Sequence, residues 1–377
     1  MKKEEPGSIK HYWHYRKRRK SYKRIKLILA CYMIIFSVIL LKDLFQVFSE
    51  ERTLEVVSYI LHPMKAISWG WFSAILLQSA TIVAIFVNTL VGQELMAIDT
   101  ACYLMIGLIL GNSATPLFAS LLVRSKKHWD IRHGFEVGVA NVVYSILLAM
   151  LVIALQLTTG IYSKTGSFLQ STLAEYPAIG FLPTVLDLIV SPVFQLLRID
   201  QWPLLLSLVF SIVLLIWAFH LFGESVTRYF GGVKRSQEKI KEHLGSRWKT
   251  FSIGLVLSIF IPSSSLLVTL LVPLAAKNLI TLRQAIPYLI ATNLATFIDV
   301  LIIAFANGSP GAISGALVLM LMSLLGIVFM NEKFGIRTIH KLTRFCTMRF
   351  LPPKKRYIIL FLAIYTLIPL LISIYPS

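Results

Sequence analysis

Gln78, Ser79 and Thr81 sit inside an otherwise oily run, LLQSATIVAIF (76–86), with no charged residue beside them to pair with. A second polar cluster, Pro262-Ser263-Ser264-Ser265, interrupts another oily run, FIPSSSLLVTLL (260–271). Each is followed by an apolar segment that carries an asparagine: Asn112 within LMIGLILGNSATPLFASLL (104–122) and Asn293 within AIPYLIATNLATFIDVLIIAF (285–305). Hydroxyls and carboxamides supply neutral oxygens and weak donors. In apolar surroundings each must find a partner, because an unsatisfied buried polar group costs roughly 1–3 kcal/mol. A single serine or threonine in such a helix most often bonds back to its own backbone. A set that recurs twice, with an asparagine at a nearly equal offset, points instead to polar groups gathered around a small ion. Covalent catalysis has no support: there is no Gly-x-Ser-Gly, and His62 and His220 fall at the ends of apolar segments rather than within them.

The elements that must position these groups follow from composition and charge. Of 377 residues, 56% are hydrophobic and only 15% charged, too few charges for a soluble domain of this length. Several apolar runs approach the ~20 residues that cross a hydrocarbon core of about 30 Å. The chain is therefore expected to be an all-α polytopic membrane protein. Its net charge of +19 sits in the loops between apolar runs, where the positive-inside rule accounts for it without nucleic acid. The tail 1–26, with HYWHYRKRRKSYKRIK (11–26), is expected to stay cytoplasmic and to lie on anionic lipid. Cys31, Cys102 and Cys346 are scattered and give neither a disulfide framework nor metal spacing. The apolar run 27–41 reads as a retained signal anchor, since no small-x-small cleavage site follows it.

Loop charge threads the chain. Residues 27–47, 132–157, 284–306 and 357–375 are expected to cross outward, and 100–123, 203–222 and 312–329 inward. Two segments remain, 65–93 with both flanks outside and 249–276 with both flanks inside. At about 1.5 Å per residue each is too short for two crossings and reads as a re-entrant hairpin of two half-helices. Each hairpin is followed by a crossing helix expected to be interrupted, in the first repeat at Gly111-Asn112-Ser113. The result is two inverted repeats, each a re-entrant helical hairpin plus an interrupted transmembrane helix, the architecture of secondary transporters with a site where the repeats meet. The expected organisation is a basic cytoplasmic tail (1–26), a first span and outer loop (27–64), repeat 1 (65–157), an outer loop and connecting spans (158–226), a cytoplasmic basic loop (227–248), repeat 2 (249–330), and a basic loop with the last span (331–377). The segment 178–197, broken by Pro183, Asp187 and Pro192, is expected to lie along the outer interface or dip partway in.

QSAT and PSSS, each followed by an apolar half-helix and then GNSAT or TNLAT, resemble the repeated Gln-Ser-Ser-Ser and Gly-Ala-Asn-Ile-Gly-Thr-Thr motifs of sodium/phosphate cotransporters, the bacterial relatives of the type II phosphate carriers. Arg132 with Asn141 is a weaker echo of the same pattern. The resemblance covers roughly residues 65–305. It implies sodium-coupled symport of inorganic phosphate across the cytoplasmic membrane, by a multi-pass protein with its N-terminus inside, with Na+ as coupling ion and no other cofactor. Carried across residue by residue, it implies substrate and ion contacts at Gln78, Ser79, Thr81, Asn112, Ser113, Thr115, Ser263, Ser264, Ser265, Asn293 and Thr296. Sodium would sit among Gln78, Ser79, Thr81, Ser263, Ser264 and Ser265. The motifs depart from the family at Ala80 and Pro262, where Ser and Gln are usual. The soluble regulatory domain that follows the membrane part in many relatives is not expected here.

The chemistry is consistent. Sodium takes hydroxyl, amide and carbonyl oxygens. Phosphate, with no Lys or Arg expected at the midplane, must be held by neutral donors and helix N-termini. Asp299 is read as the only acid within the core of the repeats, and an intramembrane acid is functional by default. It is assigned to sodium, to a proton or to a helix cap near the outer face. Alternative readings are a carrier of another small anion, a proton-coupled carrier working through Asp299, and a degenerate non-transporting sensor.

Overall fold

Backbone groups in hydrocarbon must be satisfied within the segment, so uncharged apolar runs of this length are driven into helices. Every regular element among the described residues is indeed helical. The computed structural model describes residues 25–41, 43–44, 59–121, 128–175, 181–229, 246–260, 264–276, 278–350 and 355–374.

In chain order the helices are α1 (Ile25–Leu41), α2 (Pro63–Leu77), α3 (Ala80–Gly92), α4 (Ile98–Gly111), α5 (Ala114–Leu121), α6 (His128–Thr159), α7 (Ile161–Ala174), α8 (Phe181–Leu197), α9 (Leu204–Tyr229), α10 (Arg247–Phe260), α11 (Ser264–Ala276), α12 (Leu282–Asn307), α13 (Pro310–Leu324), α14 (Arg337–Phe345) and α15 (Lys355–Ile374). Among the described residues, four stretches are long and apolar enough to cross a membrane: Ile98–Ser120, Arg132–Thr159, Leu282–Asn307 and Pro310–Met330. They coincide with four of the crossings read from loop charge. Large apolar side chains on α9 and α15 face outward, Leu205, Val213, Trp217 and Leu371 among them, as lipid-facing helices require.

Local chemistry explains the ends. Pro63 opens α2, where its missing N–H costs nothing, and His62 Nδ1 accepts from the Met64 amide at 3.3 Å. Thr281 and Gln284 form a capping box at the start of α12, and Gly308 closes that helix at φ 71°. Ser309 and Pro310 then start α13 at once.

The two halves pack alike. α2 lies along α4, and α10 lies along α12. The α2–α4 approach is close enough that a Cβ on Gly107 would stand 2.0 Å from the Ile67 carbonyl oxygen. In the second half a Cβ on Gly254 would stand 2.9 Å from Ala291 Cβ. α3 packs against α12, α13 and α4, and α11 against α6, α5 and α12. One apolar core runs through all of these, and a smaller one joins α1 to α8 through Phe36, Leu40 and Val190.

Three expectations are corrected. α12 runs unbroken through Asn293, so the second crossing helix is not interrupted. The first is broken between Gly111 and Ala114, yet only mildly, with Asn112 at φ −57°, ψ −24°. The difference lies four residues on. Pro116 has no N–H to return to the Asn112 carbonyl, whereas Phe297, at the matching place, continues the ladder. The segment read as an outer loop after α6 contains α7, packed on α13 and α4. Its Ser163 donates to Asp99 Oδ1, which with Gln156 ties α4, α6 and α7 together. Finally, Pro192 does not break its segment: α8 is continuous over Phe181–Leu197.

Candidate functional site

The sequence QSAT builds its own helix break. Gln78 takes the left-handed conformation (φ 52°), its N–H reaches the Ile75 carbonyl at 3.3 Å, and its Nε2 reaches the same oxygen at 2.6 Å. Ser79 is extended and caps α3, its Oγ accepting from the Ile82 amide at 3.3 Å. A left-handed C-cap followed by an extended N-cap ends one helix and starts the next within two residues. Gln78 is solvent- or lipid-exposed, and Ser79 is half-buried. Among the described residues both bond locally, within α2 and α3.

Thr81 is the residue of this motif that reaches across. Buried on the first turn of α3, its Oγ1 donates to Asp299 Oδ2 on α12 at 3.2 Å. The other carboxylate oxygen, Oδ1, accepts from the Val300 amide at 3.0 Å.

The densest polar contact between the halves centres on Asn112. Its Nδ2 donates to Ser264 Oγ at 3.1 Å and to Asn293 Oδ1 at 3.2 Å. Its Oδ1 accepts from Ser265 Oγ at 3.0 Å. Asn293 Nδ2 in turn donates to Asn141 Oδ1 and to the Leu289 carbonyl, both at 2.8 Å. All five side chains are buried. Helices α4, α6, α11 and α12 thus meet through one carboxamide–hydroxyl network, with Ser264 and Ser265 on the first turn of α11. Ser263 and Pro262 lie outside the described residues.

The remaining expected residues serve the backbone. Ser113 Oγ lies 2.7 Å from the Leu110 carbonyl and 2.8 Å from the Tyr365 hydroxyl, which itself donates to that carbonyl at 2.7 Å. Both hydroxyls thus crowd a carbonyl next to the break after α4. Thr296 Oγ1 bonds to the Thr292 carbonyl at 2.9 Å, the back-bonding common for threonine inside a membrane helix. Thr115 is half-buried beside Pro116.

Three residues at this place were not singled out as ligands from sequence: Asn141, Tyr365 and Trp71. Trp71 on α2 stacks edge-on against Tyr365 at 4.9 Å between centroids. Of the three, Asn141 carried a signal in the sequence: the Arg132–Asn141 echo and its place as a carboxamide in the long apolar α6. Asp299 is also not the only deeply placed acid. Glu136 on α6 is 2% exposed and is held by Arg132 Nε at 3.2 Å, with His133 Nδ1 at 3.2 Å from its other oxygen. Arg132 therefore faces a carboxylate, not the carboxamide network.

Chemically, the assembly offers neutral hydroxyl and amide oxygens, one nearby carboxylate, and the N-terminus of α11. Hydroxyl and amide oxygens suit a hard monovalent cation, and N–H and O–H donors at a helix start suit an anion.

A family model described as Na+/Pi-cotransporter matches residues 33–175 and 214–350, well over half of the chain. No curated protein and no solved structure matches it.

Proposed function

The chain belongs to the Na+/Pi-cotransporter family, and on that premise we propose that it is a secondary transporter carrying inorganic phosphate across the cytoplasmic membrane by symport with sodium. The observation that carries this reading is the Asn112 carboxamide, which bonds Ser264 and Ser265 at the start of α11 and Asn293 on α12 at once. Polar residues from two similar halves of a membrane protein converge there, with a helix N-terminus aimed into the cluster.

In this reading α2–α3 and α10–α11 are re-entrant hairpins entering from opposite sides, and the halves are inverted repeats. The parallel run of α3 and α12 supports it. Thr81 bonds Asp299 and Thr89 bonds Asn307, so both helices advance together by the same number of residues. Loop charge sends each of these two helices outward. Sodium is held by Thr81 and Asp299 together with the serines of α11. Phosphate is held by amide and hydroxyl donors of Gln78, Ser79, Asn112, Ser263, Ser264 and Ser265. The carboxamide network between the halves is what must rearrange as the site turns from one side to the other. The basic tail keeps the N-terminus cytoplasmic against anionic lipid.

The test is uptake of labelled phosphate into proteoliposomes, with and without an inward sodium gradient. Saturable uptake that needs sodium, and that falls sharply in Ser264→Ala and Asn112→Ala, is the expected result. An absence of sodium-dependent phosphate uptake in the wild type overturns the reading. Uptake driven only by a pH gradient, and lost in Asp299→Asn, gives the coupling to protons instead.

A further inference from the structure

The seam between α3 and α12 carries a second polar place that the transport reading does not use. Eight residues beyond Thr81 and Asp299, about 12 Å along both helices, Thr89 and Asn307 form the next rung of the same ladder: Asn307 Nδ2 faces Thr89 Oγ1 at 3.5 Å. Asn88 lies beside them. Asn88 is 2% exposed and Asn307 3%. Both atoms of the Asn88 carboxamide, and Oδ1 of Asn307, have no hydrogen-bond partner among the described residues.

These groups line a cavity of about 10 Å³ together with Val38, Ile85, Val300, Ile303, Ala304 and Ala312. That volume suits a single water-sized occupant. Thr89 Oγ1 donates to the Ile85 carbonyl at 2.8 Å and accepts the long bond from Asn307 Nδ2, which leaves it one further lone pair. On α13, Gly315 gives the Asn88 carboxamide its room: a Cβ there would stand 2.3 Å from Asn88 Oδ1. Leaving one buried carboxamide wholly unpaired and the oxygen of a second unpaired beside an apolar wall is costly, and buried polar groups ordinarily have a partner.

We propose that Asn88, Thr89 and Asn307 form a second, outlying site for a small monovalent cation, held by Asn88 Oδ1, Asn307 Oδ1 and Thr89 Oγ1. Neutral oxygens bind sodium weakly enough for quick release. The Asp299 carboxylate two turns away on the same helix supplies the negative potential that the site itself lacks. A cation on this rung stands in line with the Thr81–Asp299 pair, along the seam between the same two helices. The proposal rests on sodium as the coupling ion, so its test scores binding without uptake.

Binding of labelled sodium to the purified, detergent-solubilised protein, at fixed ionic strength in choline chloride, gives the number of ions per chain. The expected result is one bound ion fewer in Asn307→Leu and in Asn88→Leu than in the wild type. Asn307→Asp, which keeps an oxygen and adds charge, is expected to retain that ion and bind it at lower sodium concentration. An unchanged ion count in both leucine variants overturns the proposal, and so does an Asn307→Asp protein whose sodium dependence matches the wild type. Should the leucine variants fail to fold, Asn307→Asp decides alone. If the leucine variants are simply more heat-stable with the same ion count, the cavity holds water and the proposal fails. Sodium counts that fall as expected in a protein without phosphate uptake would leave this site standing and remove the transport reading.

Discussion

Asn112 and Asn293, which occupy matching positions in the two similar halves of the sequence, touch each other: Asn112 Nδ2 donates to Asn293 Oδ1 at 3.2 Å. The contact joins the two similar halves of the sequence through equivalent side chains, both of them buried.

Removing the Asn112 carboxamide strands three partners at once. Asn112→Ala leaves Ser264, Ser265 and the Asn293 carbonyl oxygen without their bonds, at roughly 1–3 kcal/mol per buried group left unpaired. Thermal unfolding in detergent is expected to show a clear loss for Asn112→Ala and a smaller one for Ser265→Ala. Phosphate uptake should fall further than stability in both. Equal losses in the two proteins would show that Asn112 is not the hub.

Gln78 separates backbone from side chain. Its left-handed φ of 52° suits glycine better than glutamine, so Gln78→Gly relieves strain at the turn while deleting the side chain. Stability is expected to change by less than about 1 kcal/mol in either direction. Uptake should nonetheless drop if the carboxamide, which now folds back on Ile75, swings in to hold phosphate. Wild-type uptake in Gln78→Gly would confine Gln78 to a capping role.

Close packing of the first half is predicted to be the less forgiving. A Cβ at Gly107 meets the Ile67 carbonyl oxygen at 2.0 Å and the Trp71 backbone nitrogen at 2.7 Å, both main-chain atoms that cannot step aside. At Gly254 the nearest atom is the Ala291 methyl at 2.9 Å. Gly107→Ala should destabilise by roughly 1–3 kcal/mol, the usual range for overpacking, and Gly254→Ala by less. Paired melting curves check the order.

Much of this was legible in the sequence because it rests on local chemistry. Gln78 and Ser79 end a helix with their own atoms, and four long apolar helices among the described residues fall where apolar length and loop charge together place them. Self-similarity of the sequence pairs Asn112 with Asn293, and the two side chains meet. What could not be read was which side chains meet across helices. Asn141 is one carboxamide in a long apolar helix, and nothing local says that its partner is Asn293, 152 positions away. Tyr365 joins the break at Leu110 from the last helix of the chain. The unbroken α12 was missed for a different reason: the motif was matched at its asparagine, while the interruption depends on a proline four residues later, present as Pro116 and replaced by Phe297.

Asp299 carries the sharpest test of coupling. It accepts from Thr81, a residue of the other half, so its charge bears on the junction of α3 and α12. Asp299→Asn keeps the size and an oxygen for Thr81 but removes the charge that a cation needs nearby. Thr81→Val keeps the charge and the shape and removes the hydroxyl. If sodium is held between them, Asp299→Asn should abolish the sodium dependence of uptake. Thr81→Val should preserve it with a half-saturating sodium concentration raised about tenfold, the equivalent of one lost ligand of about 1.4 kcal/mol. Sodium titrations of initial uptake rates distinguish the two. A carboxylate with a merely structural role predicts the reverse pattern: lower expression and melting temperature in Asp299→Asn, with the remaining protein still driven by sodium along the wild-type curve.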